Sequence, residues 1–393
     1  MVYSAFSALT ILPPTFALML TSLRIQNFRS IRDASVKLGQ VNLFIGPNNS
    51  GKSNFLKGIS ETAMRVSDYP DGQEVSIDWY GQNVPRGDKK DRFSPTEIQI
   101  HLVDQIDTKK FCEVIYSVTS KPRITELEMQ SRLEAELVNT EYGTRESLDL
   151  SAAKTNFKAF PQGFYGTWER LANSVIYKIE PAVFEISSGL SAQPLLNARG
   201  INIANFINTL GQNNESIIIN LKRDFAKCVR SLISFSTPPD PVFKGNLKLK
   251  FFDASGNSYW AEEVSEGVLY FLALLCIVHQ PDPPKLLLLE EPEKGIHPRR
   301  IKEVMDFIFE LAELRGIQII LTSHSPYVVD HFADIPECIS VFDRENDETV
   351  IRNAGDIITA TNARLEAEGK PPIRYTDSLG EHWVSGFLGG VPA

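Results

Sequence analysis

The sequence predicts an α/β fold: a mainly parallel sheet covered by helices, carrying an antiparallel β-subdomain and an inserted helical lobe. Three observations predict it. A short apolar run, Val41, Leu43, Phe44 and Ile45, is followed across a glycine-rich loop by Phe55, Leu56, Ile59 and Ala63 at helical spacing. A second strand–helix–strand pattern comes late in the chain, at Leu286 to Leu289, then Ile301, Val304, Met305, Ile308 and Leu311, then Ile317, Ile319, Ile320 and Leu321. That order is a parallel unit, because the crossover helix returns the chain to the same end of the sheet. Between the two, strict alternation at Ile98, Ile100 and Leu102, and at Cys112, Val114, Tyr116 and Val118, marks half-buried antiparallel strands.

Taken in order, the first twenty residues, "MVYSAFSALTILPPTFALML", are apolar but lack a basic start and are interrupted by Pro13-Pro14. They read as a leader or a misassigned start, with Met19 the natural first residue and 1–18 disordered, and not as a membrane span. Leu23 and Ile25 alternate in a strand that runs into Asn27-Phe28-Arg29. Residues 66–95 are polar and read as a loop. A polar stretch over 131–160 precedes helical patterns near Trp168 and Leu171 and at Ile218, Leu221, Phe225, Cys228, Val229 and Leu232, which make the helical lobe.

"STPPDP" from Ser236 ends that lobe. Leu247, Leu249 and Phe251 then alternate, Ser255-Gly256-Asn257 turns, and Tyr259-Trp260 returns, so a hairpin delivers the chain to Ser265. The run Leu286 to Leu289 is continuous, as in a strand covered on both faces. Pro298 suits the first turn of the next helix and Gly316 stops it. There is no internal repeat and no heptad run. The expected division is a core of 19–65 and 240–345, an insertion of strands and helices over 66–239, and a segment 346–393 packed on the core.

The chain has 393 residues and a net charge of −9, so no global basic field points to nucleic acid. The short basic runs at Lys89, Lys90 and Arg92 and at Arg299, Arg300 and Lys302 read as solvated faces. Cys112, Cys228, Cys276 and Cys338 lie far apart in apolar stretches without a C-x-x-C pair. That is reduced, core-type usage, and a cytoplasmic location is expected.

The chemistry begins at "GPNNSGKSN", Gly46-Pro47-Asn48-Asn49-Ser50-Gly51-Lys52-Ser53-Asn54. The spacing G-x-x-x-x-G-K-S arises by chance about once in a hundred chains of this length, and here it sits between a buried strand and an amphipathic helix. A phosphate loop needs that order, so that successive backbone N–H groups and the positive helix end converge on an anion. Gly46 and Gly51 let the backbone come close, Lys52 reaches the terminal phosphates, and Ser53 offers its hydroxyl to Mg²⁺. ATP and Mg²⁺ are the expected ligands.

"KLLLLEEPEKGIHP" places Glu290 and Glu291 at the carboxyl end of a buried strand, where ligands of open parallel sheets lie. Two adjacent carboxylates there need a counter-charge. Glu290 is assigned to the metal, directly or through water, and Glu291 to orienting or activating the attacking water. "IILTSHSPYVVD" ends a second strand at Thr322, Ser323 and His324, with His324 as a γ-phosphate sensor; the competing reading is packing, with Ser325 capping the helix that follows.

Five stretches in this order, "LRIQNFRSI", "GPNNSGKSN", "VSEGVLYFLAL", "LLLLEEPEKGIHP" and "LTSHSP", make the chain resemble the ABC-type ATPases of the SMC, RecF and OLD group, in the compact form without long coiled coils. The resemblance implies a phosphate-loop NTPase core of ABC type and a head-to-tail dimer, or a higher even oligomer, that sandwiches nucleotide. Ser265, Glu266 and Gly267 would then be the signature motif that contacts the γ-phosphate held by the other subunit. Arg29 and Ser30 would approach the nucleotide, Glu293 to Ile296 would cross the dimer interface, and His324 would be the switch histidine. Read from its residues alone, S-E-G is also an ordinary helix start with Ser265 as cap.

The chain departs from that pattern in places. Glu290 stands where aspartate is usual, Val264 replaces the leucine of the signature, and the coupling glutamine has only Gln193 and Gln162 as candidates. The chain ends about fifty residues after its last core strand, which is too short for a TOPRIM nuclease domain. The stretch "LGEHWVSGFLGGVP" resembles segments of the compact group without a mechanism of its own.

The expected function is an ATPase whose dimer closure is read by a separate nuclease- or toxin-type effector, in DNA repair or anti-phage defence. The alternatives are a nucleotide-gated switch with little turnover and a RecF-like DNA-binding repair ATPase. A phosphotransferase would need an acceptor base and a lid, and neither is legible.

Overall fold

The computed structural model describes residues 19–67, 97–105, 110–122, 127–139, 141–142, 144–149, 167, 170–171, 174–229, 231–373, 375 and 378–391. The expectations for 1–18, for the loop beyond Ser67, for Lys89, Lys90 and Arg92, for Gln162 and for Trp168 lie outside these residues.

Along the chain the main elements are β1 (Met19–Phe28), β2 (Ile31–Lys37), β3 (Val41–Ile45), α1 (Lys52–Ser67), β4 (Glu97–Gln105), β5 (Lys110–Pro122), β6 (Leu127–Asn139), β7 (Thr144–Asp149), β8 (Ile176–Tyr177) and β9 (Ser188–Gly189). There follow α2 (Ile203–Asn213), α3 (Glu215–Cys228), β10 (Ser234–Ser236), β11 (Asn246–Leu247), β12 (Lys250–Phe252), β13 (Ser258–Trp260) and α4 (Glu266–Val278). The last stretch holds β14 (Leu286–Glu290), α5 (Pro298–Arg315), β15 (Gln318–Thr322), α6 (Pro326–Asp330), β16 (Ile339–Glu345), β17 (Glu348–Asn353), α7 (Ala354–Ala367) and α8 (Leu379–Val384). The chain forms two compact units. The first holds the described residues of Thr15–Ile176 with Lys285–Leu289 and Phe309–Ala393; the second holds Tyr177–Pro284 and Glu290–Ile308.

The first unit is built on two sheets. One runs β2-β1-β4-β5-β6-β7 and is antiparallel at every step. The other runs β17-β16-β3-β15-β14, with β8, whose Ile176 is the last residue of this stretch of the unit, at its edge. Within it β3 pairs in parallel with both β15 and β16. All five residues of β3 are buried, as a strand flanked on both sides requires. Asn42, the polar one, donates its amide to Gly39 O and Ile319 O, so it leaves no unpaired donor in the core.

A single apolar cluster takes Leu23 and Ile25 from β1, Ile100 and Leu102 from β4, Phe55, Leu56 and Ile59 from α1, and Phe44, Leu286, Leu288, Ile320 and Phe342 from the second sheet. Phe342 meets Phe44 at 5.0 Å between ring centroids and Phe55 edge-on at 5.2 Å. Three aromatic rings therefore tie strand, helix and neighbouring strand together around the phosphate loop, each pair contributing about 0.5–1.5 kcal/mol beyond its burial.

Three elements here differ from the sequence reading. The stretch taken as polar from residue 131 is paired strand: β6 zips against β5 from Lys110↔Asn139 to Pro122↔Leu127 and carries β7 on its other edge. Its period-two pattern, Leu127, Met129, Leu133, Ala135 and Leu137, is hidden among charged residues. β2 was not expected either; it follows β1 through a two-residue loop, Arg29-Ser30, with Phe28 opposite Ile31. The hairpin β16–β17 closes through Asn346 and Asp347, both left-handed at φ 49 and 67, as a tight hairpin turn demands.

The second unit packs helices against small sheets. Every residue of α4 from Gly267 to Val278 is buried, so the helix is apolar all round rather than amphipathic. Phe225 of α3 lies on Phe251 at 5.8 Å and meets Phe235 edge-on at 5.2 Å. At the end of α4, His279 Nε2 lies 3.0 Å from Asp224 Oδ2 of α3, and Gln280 donates to the Tyr177 hydroxyl and accepts from Leu196 N–H. The hairpin β12–β13 is where the alternation placed it. α2 had not been anticipated.

Candidate functional site

The loop after β3 is pressed onto its neighbours so closely that only glycine fits. A methyl group on Gly46 (φ 142) would lie 2.1 Å from Phe342 O, and one on Gly51 (φ 110) would lie 2.5 Å from Thr349 Oγ1. Pro47, Asn48 and Asn49 form the outer rim; Asn48 and Asn49 are exposed, and Asn49 is left-handed at φ 63. Lys52, 6% exposed, folds over the loop and donates its ammonium to Gly46 O at 2.7 Å and Pro47 O at 2.8 Å. Ser50 Oγ is buried with no hydrogen-bond partner among the described residues. An orphaned buried hydroxyl inside a lysine-capped loop suits a polyphosphate, whose oxygens supply the missing acceptor and bind an ammonium more strongly than carbonyls do.

Ser53 lies in the first turn of α1, and Asn54 beside it reaches across to the β1–β2 turn, its Nδ2 donating to Ser30 Oγ at 2.9 Å. Ser30 Oγ also shares a hydrogen bond with Thr349 Oγ1 at 3.0 Å, and Thr349 N–H donates to Ser30 O. The structure thus brings Ser30 to the loop. Arg29 precedes it at φ 56 with its guanidinium over the Phe28 ring at 5.4 Å. Burial lowers the guanidinium's pKa, against the raising effect of Glu61.

In the same unit, Thr322 and Ser323 are fully buried at the end of β15, and Ser323 N–H donates to Phe44 O, one residue before the loop's approach. His324 follows, half-buried. Ser325 takes the cap position of α6, but its side chain makes no cap hydrogen bond; its N–H donates to Ser323 Oγ.

The second unit carries the other predicted residues. Glu290 closes β14, and its Oε2 lies 3.6 Å from Lys178 Nζ. Glu291 is left-handed at φ 49, a conformation that costs a residue with a Cβ about 1–2 kcal/mol and clusters at functional sites. Turns closed by Lys294 N–H to Glu291 O and Ile296 N–H to Glu293 O carry the chain toward α5.

Ser265 occupies the cap of α4 with its backbone O accepting from Val268 and Leu269, yet its hydroxyl makes no cap bond and instead accepts from Arg300 Nη1 at 3.1 Å. Arg300 also lies against Gly267, and the Glu266 carboxylate lies against Gly295. Ser265 and Glu266 are exposed. The S-E-G stretch and the loop 293–300 therefore form one surface, with a helix N-terminus behind it.

Three participants escaped the sequence reading. Thr349 sits in an ordinary strand pattern, and Lys178 is a lone lysine after a short strand. Arg300 had read as part of a solvated basic run, yet it donates to Ser265 Oγ. Gln193 is engaged within the lobe, with its amide donating to Ser191 Oγ and its oxygen accepting from Asn202. Among the described residues no three or more His, Cys, Asp or Glu cluster as a metal site. Ser53 and Glu290 each offer an oxygen donor of the kind that Mg²⁺ takes. No described helix is long and apolar enough to cross a membrane.

Comparison with known proteins places these features. Residues 41–330 match the family described as "AAA domain, putative AbiEii toxin, Type IV TA system". Local matches include an uncharacterized ABC transporter ATP-binding protein, YhcH, of Bacillus subtilis, 39% identical over 49 residues, 12% of this chain and 15% of that protein. Another is the uncharacterized protein MJECL44 of Methanocaldococcus jannaschii, 36% identical over 78 residues, 19% of this chain and 23% of that one. The chain thus spans less than a quarter of the length of these relatives.

Among solved structures, the SMC head domain from Thermotoga maritima is similar at 14% identity and a TM-score of 0.46, over 85% of this chain and 98% of that one. The Smc head domain from Pyrococcus furiosus, bound to the C-terminal domain of ScpA, is similar at 14% identity and 0.47, over 88% and 99%. The family match runs from β3 and its phosphate loop through the signature helix and the two glutamates to α6. The chain belongs to this AAA-domain family.

Proposed function

We propose that the protein binds and hydrolyses ATP in a head-to-tail dimer and that dimer closure controls a separate effector. The observation that carries this reading is the loop itself: Lys52 capping Gly46 and Pro47, with the buried Ser50 hydroxyl lacking an acceptor among the described residues. Loop N–H groups from Gly46 to Asn54 and the Lys52 ammonium hold the phosphates, and the β1–β2 turn at Arg29 and Ser30 borders the nucleotide. Ser53 and Glu290 hold the metal. Mg²⁺ held there would supply charge stabilisation for phosphoryl transfer.

Glu291 orients and activates the attacking water, and its constrained backbone presets the carboxylate. His324 sits one residue beyond the strand end tied to Phe44 and senses the γ-phosphate. The exposed Ser265 and Glu266 of a second copy, with Gly267 behind them, complete the site with a hydroxyl and a helix N-terminus, donors aimed at developing negative charge. Completion in trans explains why the signature residues face outward instead of capping their own helix.

The family's description, a putative toxin of a type IV toxin–antitoxin system, supports a defence context, and the net charge of −9 favours a protein partner over a nucleic-acid one. The test is phosphate release per chain against protein concentration. The rate per chain should rise with concentration toward a plateau, and Glu291→Gln should abolish turnover while retaining ATP. Undiminished turnover in Glu291→Gln would remove the assigned water activator and with it the mechanism.

A further inference from the structure

We propose that the segment Leu379–Gly390 is a positioning element of the nucleotide site, coupling the phosphate loop to the switch that follows His324. The inference rests on the nucleotide reading above and adds residues that no motif assigns. At one end of the segment, Gly380 lies against the backbone of Pro326 so closely that a methyl group there would come 2.3 Å from Pro326 O. The Gly380 N–H donates to Asp330 Oδ1 at 2.7 Å. α8 is thereby fastened to both ends of α6, the helix that begins two residues after His324.

The other end is fastened to the loop. A methyl group on Gly390 would come 2.7 Å from Phe342 O, 2.8 Å from Val341 Cγ1 and 3.5 Å from Gly46 Cα. Gly46, the first glycine of the phosphate loop, crowds the same Phe342 oxygen from its own side. Two glycines thus share one carbonyl, and any shift of one is felt by the other. Gly390 N–H donates to Asp343 Oδ2 at 3.3 Å, which fixes the height of the segment above β16.

Between the ends stands Trp383, fully buried, its indole N–H donating to Gly390 O at 3.1 Å. Trp383 lies in α8 and Gly390 on Gly46, so this bond closes the connection from the switch side to the loop side. The stretch is rich in glycine because it threads between backbones and not because it is a loose loop. Polar bonds at each joint and a rigid ring between them transmit small displacements instead of absorbing them. The segment therefore holds Gly46 and the Pro326 backbone in register, so that phosphate in the loop and the position of His324 are felt together.

The experiment is fluorine NMR of the full chain labelled with 5-fluorotryptophan. The chain has four tryptophans, and Trp383→Phe identifies the Trp383 resonance by its loss. Mg-ATP should shift that resonance in step with ATP occupancy measured by equilibrium dialysis, with no shift in Lys52→Ala. Trp383→Phe, which keeps an aromatic ring but deletes the N–H and part of the buried volume, should weaken ATP binding about fivefold, the scale of one neutral hydrogen bond, and lower the melting temperature by a few degrees while the chain stays folded. Gly390→Ala should weaken it more.

If the parent chain binds no ATP, the nucleotide reading falls and this inference with it. If ATP binds, the Trp383 resonance stays fixed and Trp383→Phe binds as the parent does, the inference alone is overturned. A purely structural role would lower the melting temperature without an ATP-dependent shift, and that result also counts against it.

Discussion

At the scale of single residues, the site departs from ordinary backbone conformation where chemistry is assigned. Glu291 at φ 49 is the clearest case. Glycine tolerates that conformation and alanine does not, while glycine also loses more entropy on folding; the balance favours Glu291→Gly over Glu291→Ala by about 0.5–1 kcal/mol. Urea titration of the two variants should show that order, with both inactive; equal stabilities would mean the backbone there is not constrained. For Lys52→Ala, the loss of a charge-assisted contact should weaken ATP binding on the order of 10–100-fold by calorimetry, and unchanged affinity would remove the lysine from the site. These residues were legible in the sequence because the loop is contiguous. Thr349 was not, since it meets Ser30 across 319 residues of chain. Lys178 reaches Glu290 in the same way, through a contact no local pattern encodes.

At the scale of elements, α4 is held at its far end by α3. Burial alone would raise the Asp224 pKa, but its hydrogen bond to His279, with the charges of His279 and Arg223, outweighs that and leaves it below the ordinary value. A depressed carboxylate pKa contributes stability that is complete above the unfolded-state value and is lost as pH falls through the folded-state value. Asp224→Asn should therefore cost about 1–2 kcal/mol at pH 7, and the difference from the parent should shrink progressively below about pH 5. A difference independent of pH would show that the pair is not ionic.

The elements were legible wherever apolar residues keep one period. α1, α5 and β12–β13 do so, while β3, β14 and β15 were legible as short unbroken apolar runs. β6 was misread because its apolar residues are interleaved with four charged ones, Glu128, Arg132, Glu134 and Glu136, which resembles a solvated stretch until a partner strand is known. β2 and β17 are edge strands, β16 takes its place by pairing with the distant β3, and α2 starts at Asn202, whose side chain makes no cap bond.

At the scale of the whole molecule, the phosphate loop and switch lie in one compact unit, and the signature and the two glutamates are assigned to the other. In a head-to-tail pair each copy supplies the signature surface to its partner's loop. Ser265→Ala, made in a Glu291→Gln chain, should then leave ATP binding by the single chain unchanged but weaken pairing about tenfold or more, since one bond to a charged oxygen is lost. Sedimentation at several concentrations reads the difference, and equal pairing would take Ser265 out of the interface. The fold class was legible at this scale because strand–helix–strand order fixes a parallel sheet, and the order of five dispersed motifs indicated the family. The two-unit division was less legible, because the chain crosses between units several times.

The most direct measurement is sedimentation velocity of Glu291→Gln with and without saturating Mg-ATP. The account predicts single chains without nucleotide and dimers with it, with Lys52→Ala remaining single throughout. A Glu291→Gln protein that binds ATP fully and still sediments as a single chain at every concentration would contradict it.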